Sequence, residues 1–294
     1  MTILVTGSTG VIGTQVIEQL GRMDSGVKIR ALTRSPERAR FPAHVEAVEG
    51  DLSGIASLKS ALADVDTLFL LAPNAADELT QALQAMNVAR EAGVKGIVYL
   101  SVFKGEDYAD VPHFTSKYTV ERMIEREALP VTVLRPAYFM QNDVHQKEPL
   151  LSAGIYGMPI GEKGISMVDA RDIGEAAARE LVRRSRASGP LPAEIHELVG
   201  PDAITGAGAA AIWTEALQRE IRYGGDDLNA LESRLKENGP EWMAYDMRLM
   251  MQRYQREGAV ASAAQVERLS ALLQRPPRSY RDFAFETARA WAAR

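Results

Sequence analysis

Three glycines near the start of the chain have the spacing of a phosphate-binding turn. Gly7, Gly10 and Gly13 follow an aliphatic run and precede a helical pattern of apolar residues. Glycine lets the backbone turn sharply, approach a pyrophosphate and bring a helix against a strand. The free N–H groups and the dipole at the start of that helix favour phosphate charge. The pattern predicts a pyrophosphate-binding loop over 7–13; the alternative is a glycine turn without a ligand.

A predicted helix over residues 112–127 carries the next candidates for chemistry. In short-chain dehydrogenases a tyrosine stands four residues before a lysine, where it acts as the acid while the lysine holds the ribose. Here Lys117 is present, but His113 occupies the tyrosine position. Tyr118 lies about 100° around the helix from Lys117 and cannot replace that tyrosine. We expect Lys117 to hold the nicotinamide ribose, Glu121 to pair with Lys117, and His113 to be either a proton donor or a structural histidine.

The end of the second predicted strand indicates which dinucleotide is bound. NAD binding uses an acidic residue there for the ribose 2′-hydroxyl. This chain has Arg34 instead, with Arg38 one helical turn further on. Because a guanidinium suits a dianionic phosphate, we expect NADP(H) in preference to NAD(H). For Arg38 two roles stay open: it binds the phosphate, or it is a solvated surface charge. For Asp51 the two roles are binding near the adenine and forming a turn or a helix cap.

A repeating strand–helix pattern positions these residues. Strands are predicted from residue 2 or 3, and over 27–33, 45–49, 67–72, 96–101 and 131–135, with helices between them. A helix reaching about residue 63 is predicted after Ser53 as N-cap, and another over 77–92 ends at Gly93. The alternation predicts a doubly wound parallel sheet, an α/β fold that binds ligands at the carboxyl ends of its strands.

The remaining predicted site residues lie on the glycine loop or on the loops after these strands. The additional cofactor residues are Ser8, Thr9, Val11, Ile12, Leu52, Ala72, Pro73, Ser101, Tyr138 and Phe139. The predicted substrate residues are Asn74, Phe103, Phe139, Asn142 and Met247. For each loop residue the alternative is ordinary packing. A helical stripe of methionines at 243, 247, 250 and 251 either fills the core or lines an adaptable pocket.

Three segments together resemble the NmrA-like family of atypical short-chain dehydrogenases/reductases. They are Thr6-Gly-Ser-Thr-Gly10 with its Gly-x-x-Gly-x-x-Gly spacing, His113-Phe-x-x-Lys117, and Arg135-Pro-x-x-Phe139-Met-x-Asn142. The resemblance implies a Rossmann fold that binds NAD(P)(H), with Asp51 near the adenine. The family includes both reductases and proteins that bind dinucleotide without turnover.

Two functions are therefore kept open. The first is an NADPH-dependent oxidoreductase that reduces a small quinone-like or aromatic acceptor by hydride transfer, since a quinone needs no strong protein acid. The second is a non-catalytic NADP(H)-binding redox sensor that acts through a protein partner, which the missing tyrosine favours. An epimerase or dehydratase ranks below both, because those enzymes normally retain the tyrosine.

Beyond about residue 150 the pattern changes. We expect a cofactor-binding domain over 1–150, with an extra strand at 195–199, and a mainly helical substrate-side subdomain over 151–294. Asp172 and Glu175 predict a capping box at the start of one helix. From about residue 212 the chain is predicted to be almost wholly helical.

Composition excludes several classes of function. Among 294 residues there is no cysteine, which removes thiol catalysis and disulfides, and four histidines without i, i+4 spacing predict no metal site. A net charge of −5 argues against nucleic acid as a partner. No apolar run reaches membrane-spanning length, and a strand at the start leaves no room for a signal peptide, so a cytoplasmic protein is expected. The expected partners are a small-molecule substrate and either a second copy or a regulatory protein.

Overall fold

A seven-stranded sheet organises this computed structural model, which describes residues 1–23 and 26–293. Its strands are β1 (Thr2–Val5), β2 (Lys28–Thr33), β3 (Val45–Glu49), β4 (Thr67–Leu70), β5 (Gly96–Leu100), β6 (Val131–Pro136) and β8 (Glu194–Leu198). They lie in the order β3-β2-β1-β4-β5-β6-β8, and the pairings from β3 through β6 are parallel. The order reverses at β1, so the predicted doubly wound fold is confirmed and its switch point lies beside the glycine loop.

Ten α-helices, a 3₁₀ helix (Met140–Gln146), a π-helix (Pro149–Ala153) and a second, small sheet complete the helices and strands of the described residues. The helices are α1 (Val11–Arg22), α2 (Ile55–Ala61), α3 (Glu78–Glu91), α4 (Pro112–Arg126), α5 (Ala170–Arg186), α6 (Gly206–Leu217), α7 (Leu228–Asn238), α8 (Glu241–Glu257), α9 (Ala263–Leu273) and α10 (Tyr280–Ala292). The small sheet pairs β7 (Ile155–Tyr156) with β9 (Arg222–Tyr223) in parallel. Two-residue strands carry too little pattern to be recognised in a sequence, and this sheet was not predicted.

The chain forms two compact units that no single cut separates. The first contains residues 1–105, 113–135 and 170–196; the second contains 106–112, 136–169 and the residues from 197 onward. α5 therefore belongs with the unit that holds the glycine loop. The predicted division into a cofactor-binding domain over 1–150 and a substrate-side subdomain over 151–294 assigns a function to each part, and it stays a prediction.

The core of the first unit follows from the buried strands. All four residues of β4 are inaccessible, as expected of a parallel strand covered on both faces. α5 packs against α1, and Gly174 makes this close approach possible, because a Cβ there would lie 2.6 Å from Gln15 Cβ. This contact explains why a helix from the second half of the sequence folds with the first half.

Two predicted caps are wrong, for local reasons. α2 begins at Ile55 after Gly54, and Ser53 donates its hydroxyl to Asp51 Oδ1 at 2.7 Å instead of capping the helix. α5 begins at Ala170, which places Asp172 inside the first turn. α6 also starts earlier than predicted, since Thr205 accepts a hydrogen bond from the Gly208 N–H at 3.0 Å. Within the described part of the chain, no helix is both long and apolar enough to span a bilayer.

Candidate cofactor-binding site

The loop between β1 and α1 has the geometry that its glycines predict. Gly7 has a φ of +59°, and its carbonyl accepts a hydrogen bond from the Gly10 N–H at 3.0 Å. Gly10 occupies the N-cap position of α1, and no side chain caps this helix. The first N–H groups of α1 are thus left for another acceptor, and an anion is the acceptor that a helix N-terminus favours.

Steric contacts make glycine necessary at two positions of this loop. A Cβ at Gly13 would lie 2.2 Å from the Gly7 carbonyl oxygen, so any side chain there would force the turn apart. A Cβ at Gly7 would lie 2.8 Å from Leu71 Cδ2, and its positive φ also disfavours other residues. The loop therefore depends on close backbone contact, with Gly13 as its tightest point.

Two buried hydroxyls tie neighbouring strand ends to this loop. Thr6 Oγ1 donates to the Phe69 carbonyl at 3.1 Å and accepts from the Leu71 N–H at 2.8 Å. Ser8 Oγ donates to the Leu32 carbonyl at 2.7 Å. The Ser8 hydroxyl is committed to the backbone of β2, so its part in a ligand site is to hold the loop in place.

A cavity of about 810 Å³ lies at the carboxyl ends of β1 to β4, wholly within the first unit. Ligand pockets usually measure roughly 300–1,000 Å³. The predicted residues that line it are Gly7, Ser8, Thr9, Gly10, Arg34, Arg38, Asp51, Leu52, Ala72, Pro73 and Asn74. Lining residues absent from the prediction include Thr6, Leu32, Gly50, Leu71, Ala75 and Gln81. Most of these directly neighbour a predicted residue, but Gln81 lies on α3 and had no signal in the sequence.

The charged residues of the cavity lie at the ends of β2 and β3. Arg34 and Arg38 are exposed, and no carboxylate stands at residues 34–36, directly after β2. Glu37, which does not line the cavity, forms an exposed ion pair with Arg38 at 3.7 Å. Asp51 accepts hydrogen bonds from the backbone and then the hydroxyl of Ser53, which lower its pKa, and Arg34 adds a smaller electrostatic effect in the same direction. This end of the cavity thus presents two guanidinium groups beside one carboxylate that already has a hydrogen-bonded neighbour.

Several predicted cofactor residues do not line this cavity. Val11 is 57% exposed on α1, while Ile12 is buried in the core, and Gly13 contributes the contact described above. Ser101 and Lys117 belong to the first unit but lie outside the lining. These residues therefore keep their predicted roles only as proposals.

The expected pairing of Lys117 with Glu121 is wrong. Lys117 Nζ pairs with Glu78 on α3. Glu121 instead accepts Arg135 Nε at 3.0 Å together with Arg135 Nη2, and it also accepts the Ser101 hydroxyl. A planar guanidinium matches a carboxylate better than the point charge of an ammonium group does, which explains the exchange of partners. Glu78 had no signal in the sequence, because its partner is 39 positions away.

His113 and Phe103 are the other predicted residues of the first unit. His113 lies one turn before Lys117, is half-buried and meets the Phe114 ring edge-on at 4.7 Å between centroids. Phe103 is buried, and the Lys104 ammonium lies 5.5 Å from its ring centre. Both aromatic groups are packed against protein, yet the His113 ring keeps part of its surface accessible.

The second unit carries the remaining predicted residues. Phe139, Asn142 and Met247 are half-buried, whereas Tyr138 is buried and meets Tyr254 edge-on at 6.2 Å. In the methionine stripe of α8, residues 250 and 251 are buried, and 243 and 247 are partly accessible. Core packing therefore accounts for half of the stripe.

One group of metal-ligand types comes together in the described residues. Ligand atoms of Glu180, Glu194 and His196 lie within 4.8 Å of one another. Arg183 Nη2 donates to Glu180 Oε2 at 2.7 Å and also to Glu194 Oε2. The Arg183 guanidinium thus provides the positive charge that faces these two carboxylates.

The strand order, the glycine turn at the switch point and the adjoining cavity define an α/β protein built to bind a dinucleotide. Residues 1–283 match the NmrA-like family, and the chain belongs to it. The predicted resemblance is confirmed.

Relatives of known activity match nearly the whole chain. An NAD(P)H azoreductase of Xenophilus azovorans is 28% identical over 99% of each chain. A (4-alkanoyl-5-oxo-2,5-dihydrofuran-3-yl)methyl phosphate reductase of Streptomyces griseus is 29% identical, again over 99% of both. The structure of an NADPH-dependent quinone oxidoreductase of Escherichia coli with NADPH has a TM-score of 0.84 at 24% identity, over 97% of this chain and 99% of that one; this likeness concerns the fold.

Proposed function

We propose that this chain is an NADPH-dependent reductase of a small quinone-like or aromatic acceptor. The observation that carries the proposal is the cavity beside the glycine turn, with Arg34 and Arg38 at its rim and no carboxylate at the end of β2. The steric requirement for Gly13 agrees with the close helix–strand packing that the third glycine of a dinucleotide-binding turn provides. The relatives named as an NAD(P)H azoreductase and as a (4-alkanoyl-5-oxo-2,5-dihydrofuran-3-yl)methyl phosphate reductase support reduction as the reaction class.

In this proposal each part of the site has one task. The glycine loop and the N-terminus of α1 bind the pyrophosphate, while Arg34 and Arg38 bind the 2′-phosphate. Asp51 borders the adenine, and Lys117 holds the nicotinamide ribose. When bound, the nicotinamide supplies a hydride.

The acceptor-side residues are assigned by their chemistry. Phe139 and Met247 offer partly accessible apolar surface for an aromatic acceptor, and Asn142 offers an amide for its oxygen. Within the first unit, Asn74 and Phe103 are proposed for the substrate, and His113 is the proton donor where the acceptor needs one. A quinone reduced to its anion is a weak base, so it does not require the missing tyrosine.

The direct test measures oxidation of NADPH and NADH across a panel of quinones, azo compounds and aromatic aldehydes, with cofactor binding measured in parallel. We expect turnover of a quinone or azo compound, with NADPH preferred. Arg34→Ala should weaken NADPH binding about tenfold and leave NADH binding almost unchanged, because only NADPH carries the 2′-phosphate. Equal effects on both cofactors would contradict the assignment of Arg34.

A pair of glycine variants tests the loop itself. Gly13→Ala should weaken NADPH binding by on the order of 100-fold, since its Cβ would meet a backbone oxygen at 2.2 Å. Gly189→Ala is the matched control, because a Cβ there meets nothing within 4 Å. If both variants bind NADPH like wild type, this loop does not bind the cofactor.

The second candidate is a sensor that binds NADP(H) and acts through a protein partner. The observation that favours it is His113 in place of the tyrosine. NADPH binding without turnover on any acceptor of the panel would support the sensor over the reductase.

A further inference from the structure

Lys117 and Glu78 form a largely buried ion pair that links α4 to α3. The Lys117 side chain is 13% exposed and the Glu78 side chain 4% exposed. The Lys59–Glu91 pair, which also reaches α3, joins side chains that are each more than half exposed. Exposed pairs contribute little, whereas a buried ammonium group without an opposite charge is strongly unfavourable. Glu78 therefore supplies the opposite charge for this largely buried ammonium group.

Glu78 is also attached to the wall of the cofactor cavity. Its backbone N–H donates to the Ala75 carbonyl at 3.0 Å, and Ala75 lines the cavity. Gln81, one turn further along α3, lines the cavity as well and donates to Asp77 Oδ1 at 2.8 Å. The first turn of α3 thus carries Gln81, which lines the cavity, and Glu78, which pairs with Lys117.

The Lys117 ammonium retains hydrogen-bonding capacity. It has three N–H donors, and Glu78 is its hydrogen-bonding partner among the described residues. Glu121, one turn along the same helix, does not compete, because Arg135 and Ser101 occupy its carboxylate. Two ammonium donors thus stay available beside Glu78, on the helix turn that also carries part of the cavity wall.

We propose that Glu78 is a positioning residue for cofactor binding. It holds Lys117 with one donor and directs the other two toward the ribose hydroxyls of bound NADPH. This inference rests on the proposed function, because it assumes that the cavity binds the dinucleotide. It adds to that function a carboxylate that acts on the cofactor through Lys117.

The test compares NADPH affinity with stability in three variants of the full chain. Glu78→Gln removes the charge while keeping the shape, and it should weaken NADPH binding about tenfold in a fluorescence titration. Exchange of the two residues, Glu78→Lys with Lys117→Glu, should restore the urea midpoint of wild type but not NADPH binding, because a carboxylate then stands at position 117. Glu91→Gln, which breaks the exposed pair on the same helix, should change neither quantity.

A purely structural pair would give a different pattern. The exchanged variant would then recover NADPH binding together with stability, which would overturn the inference. So would a folded Glu78→Gln variant whose dissociation constant for NADPH lies within twofold of wild type. If wild type itself does not bind NADPH, the proposed function fails and this inference with it; if wild type binds and only Glu78→Gln has no effect, the inference alone fails.

Discussion

Three buried carboxylates of the first unit and Asp143 of the second unit have different kinds of partner. In the first unit Glu78, Glu121 and Glu180 are each paired with a cation, namely Lys117, Arg135 and Arg183. In the second unit Asp143 is fully buried and accepts only hydroxyl groups, from Tyr156 at 2.9 Å and from Tyr280. Its other oxygen, Oδ1, has no hydrogen-bond partner among the described residues.

Proton affinities follow from these surroundings. Burial acts to raise the pKa of Glu180, but hydrogen bonds from Arg183 and Thr132 outweigh it, and the pKa of Glu180 is lowered. Burial raises the pKa of Asp143 to about 6, although hydrogen bonds from Tyr280 and Tyr156 act in the opposite direction. Neutral donors therefore do not compensate for burial as a cation does. The comparison separates the ion-paired carboxylates Glu78, Glu121 and Glu180 of the first unit from Asp143 of the second, which takes up a proton near pH 6.

The largest effect is expected where an ion pair is broken from the cationic side. Arg135→Met would leave Glu121 buried beside Ser101 without an opposite charge. We expect a loss of about 3 kcal/mol in the free energy of unfolding, measured by urea denaturation at pH 7. The double variant Glu121→Gln with Arg135→Met should recover most of the loss, because no charge stays buried.

Arg90→Met provides the control for this prediction. Arg90 pairs with Glu127 at 3.8 Å, and both side chains are nearly half exposed. Its loss should cost at most about 0.5 kcal/mol. Equal losses in the Arg135 and Arg90 variants would show that burial does not distinguish these pairs.

The second prediction uses the pH dependence of the Asp143 cluster. Because its pKa rises from 3.8 to about 6 on folding, its favourable contribution is complete below pH 3.8 and is lost as pH rises through 6. At about 1.4 kcal/mol per pH unit, the loss is about 3 kcal/mol. Asp143→Asn removes this titration, so the variant should gain that amount relative to wild type between pH 4 and pH 7.

Urea midpoints at several pH values between 4 and 7 measure this difference, since other titrating groups are common to both proteins. A difference between the two proteins that stays constant with pH would mean that Asp143 keeps an ordinary pKa. The hydroxyl groups of the two tyrosines would then compensate for the burial of Asp143, as the cations do for the buried carboxylates of the first unit.

The smallest effect is expected at an exposed carboxylate. Glu46 is 45% exposed and accepts Lys28 at 2.7 Å and Arg30 at 3.2 Å; the hydrogen bond from Lys28 is the main reason that its pKa is lowered. Its contribution is present above pH 4.5 and is lost as pH falls. Glu46→Gln should cost at most about 0.5 kcal/mol at pH 7.

Salt gives a second measurement of the same pair. The small cost should disappear in about 1 M salt, where exposed charges are screened. A salt-independent cost above 1.5 kcal/mol would contradict the distinction between exposed and buried pairs.

Features with a local cause were predictable from the sequence. The continuous apolar run of β4 marks a buried parallel strand, and Gly93 marks the end of α3, where it adopts a φ of +74°. The spacing of glycines 7, 10 and 13 placed the turn at the switch point. In each case the residues that form the feature lie within a few positions of one another.

Contacts between distant segments could not be predicted in this way. Nothing near Asp143 in the sequence indicates that Tyr280, 137 positions away, donates to it. Glu121 shows the limit of local rules: the i, i+4 spacing predicted Lys117 as its partner, but Arg135 on β6 offers a better fit. The spacing along a helix determines which of its side chains are neighbours. It does not determine whether a side chain from another element is the preferred partner.

The sequence by itself determined the class of fold, the glycine turn and the arginines at the end of β2, because short-range backbone geometry and apolar periodicity encode them. Only the tertiary structure decided which charges meet: Glu78 with Lys117, Glu121 with Arg135, and Asp143 with two tyrosines. The physical reason is that burial and electrostatic pairing depend on distances through space, which are set only when strands and helices far apart in the chain pack together.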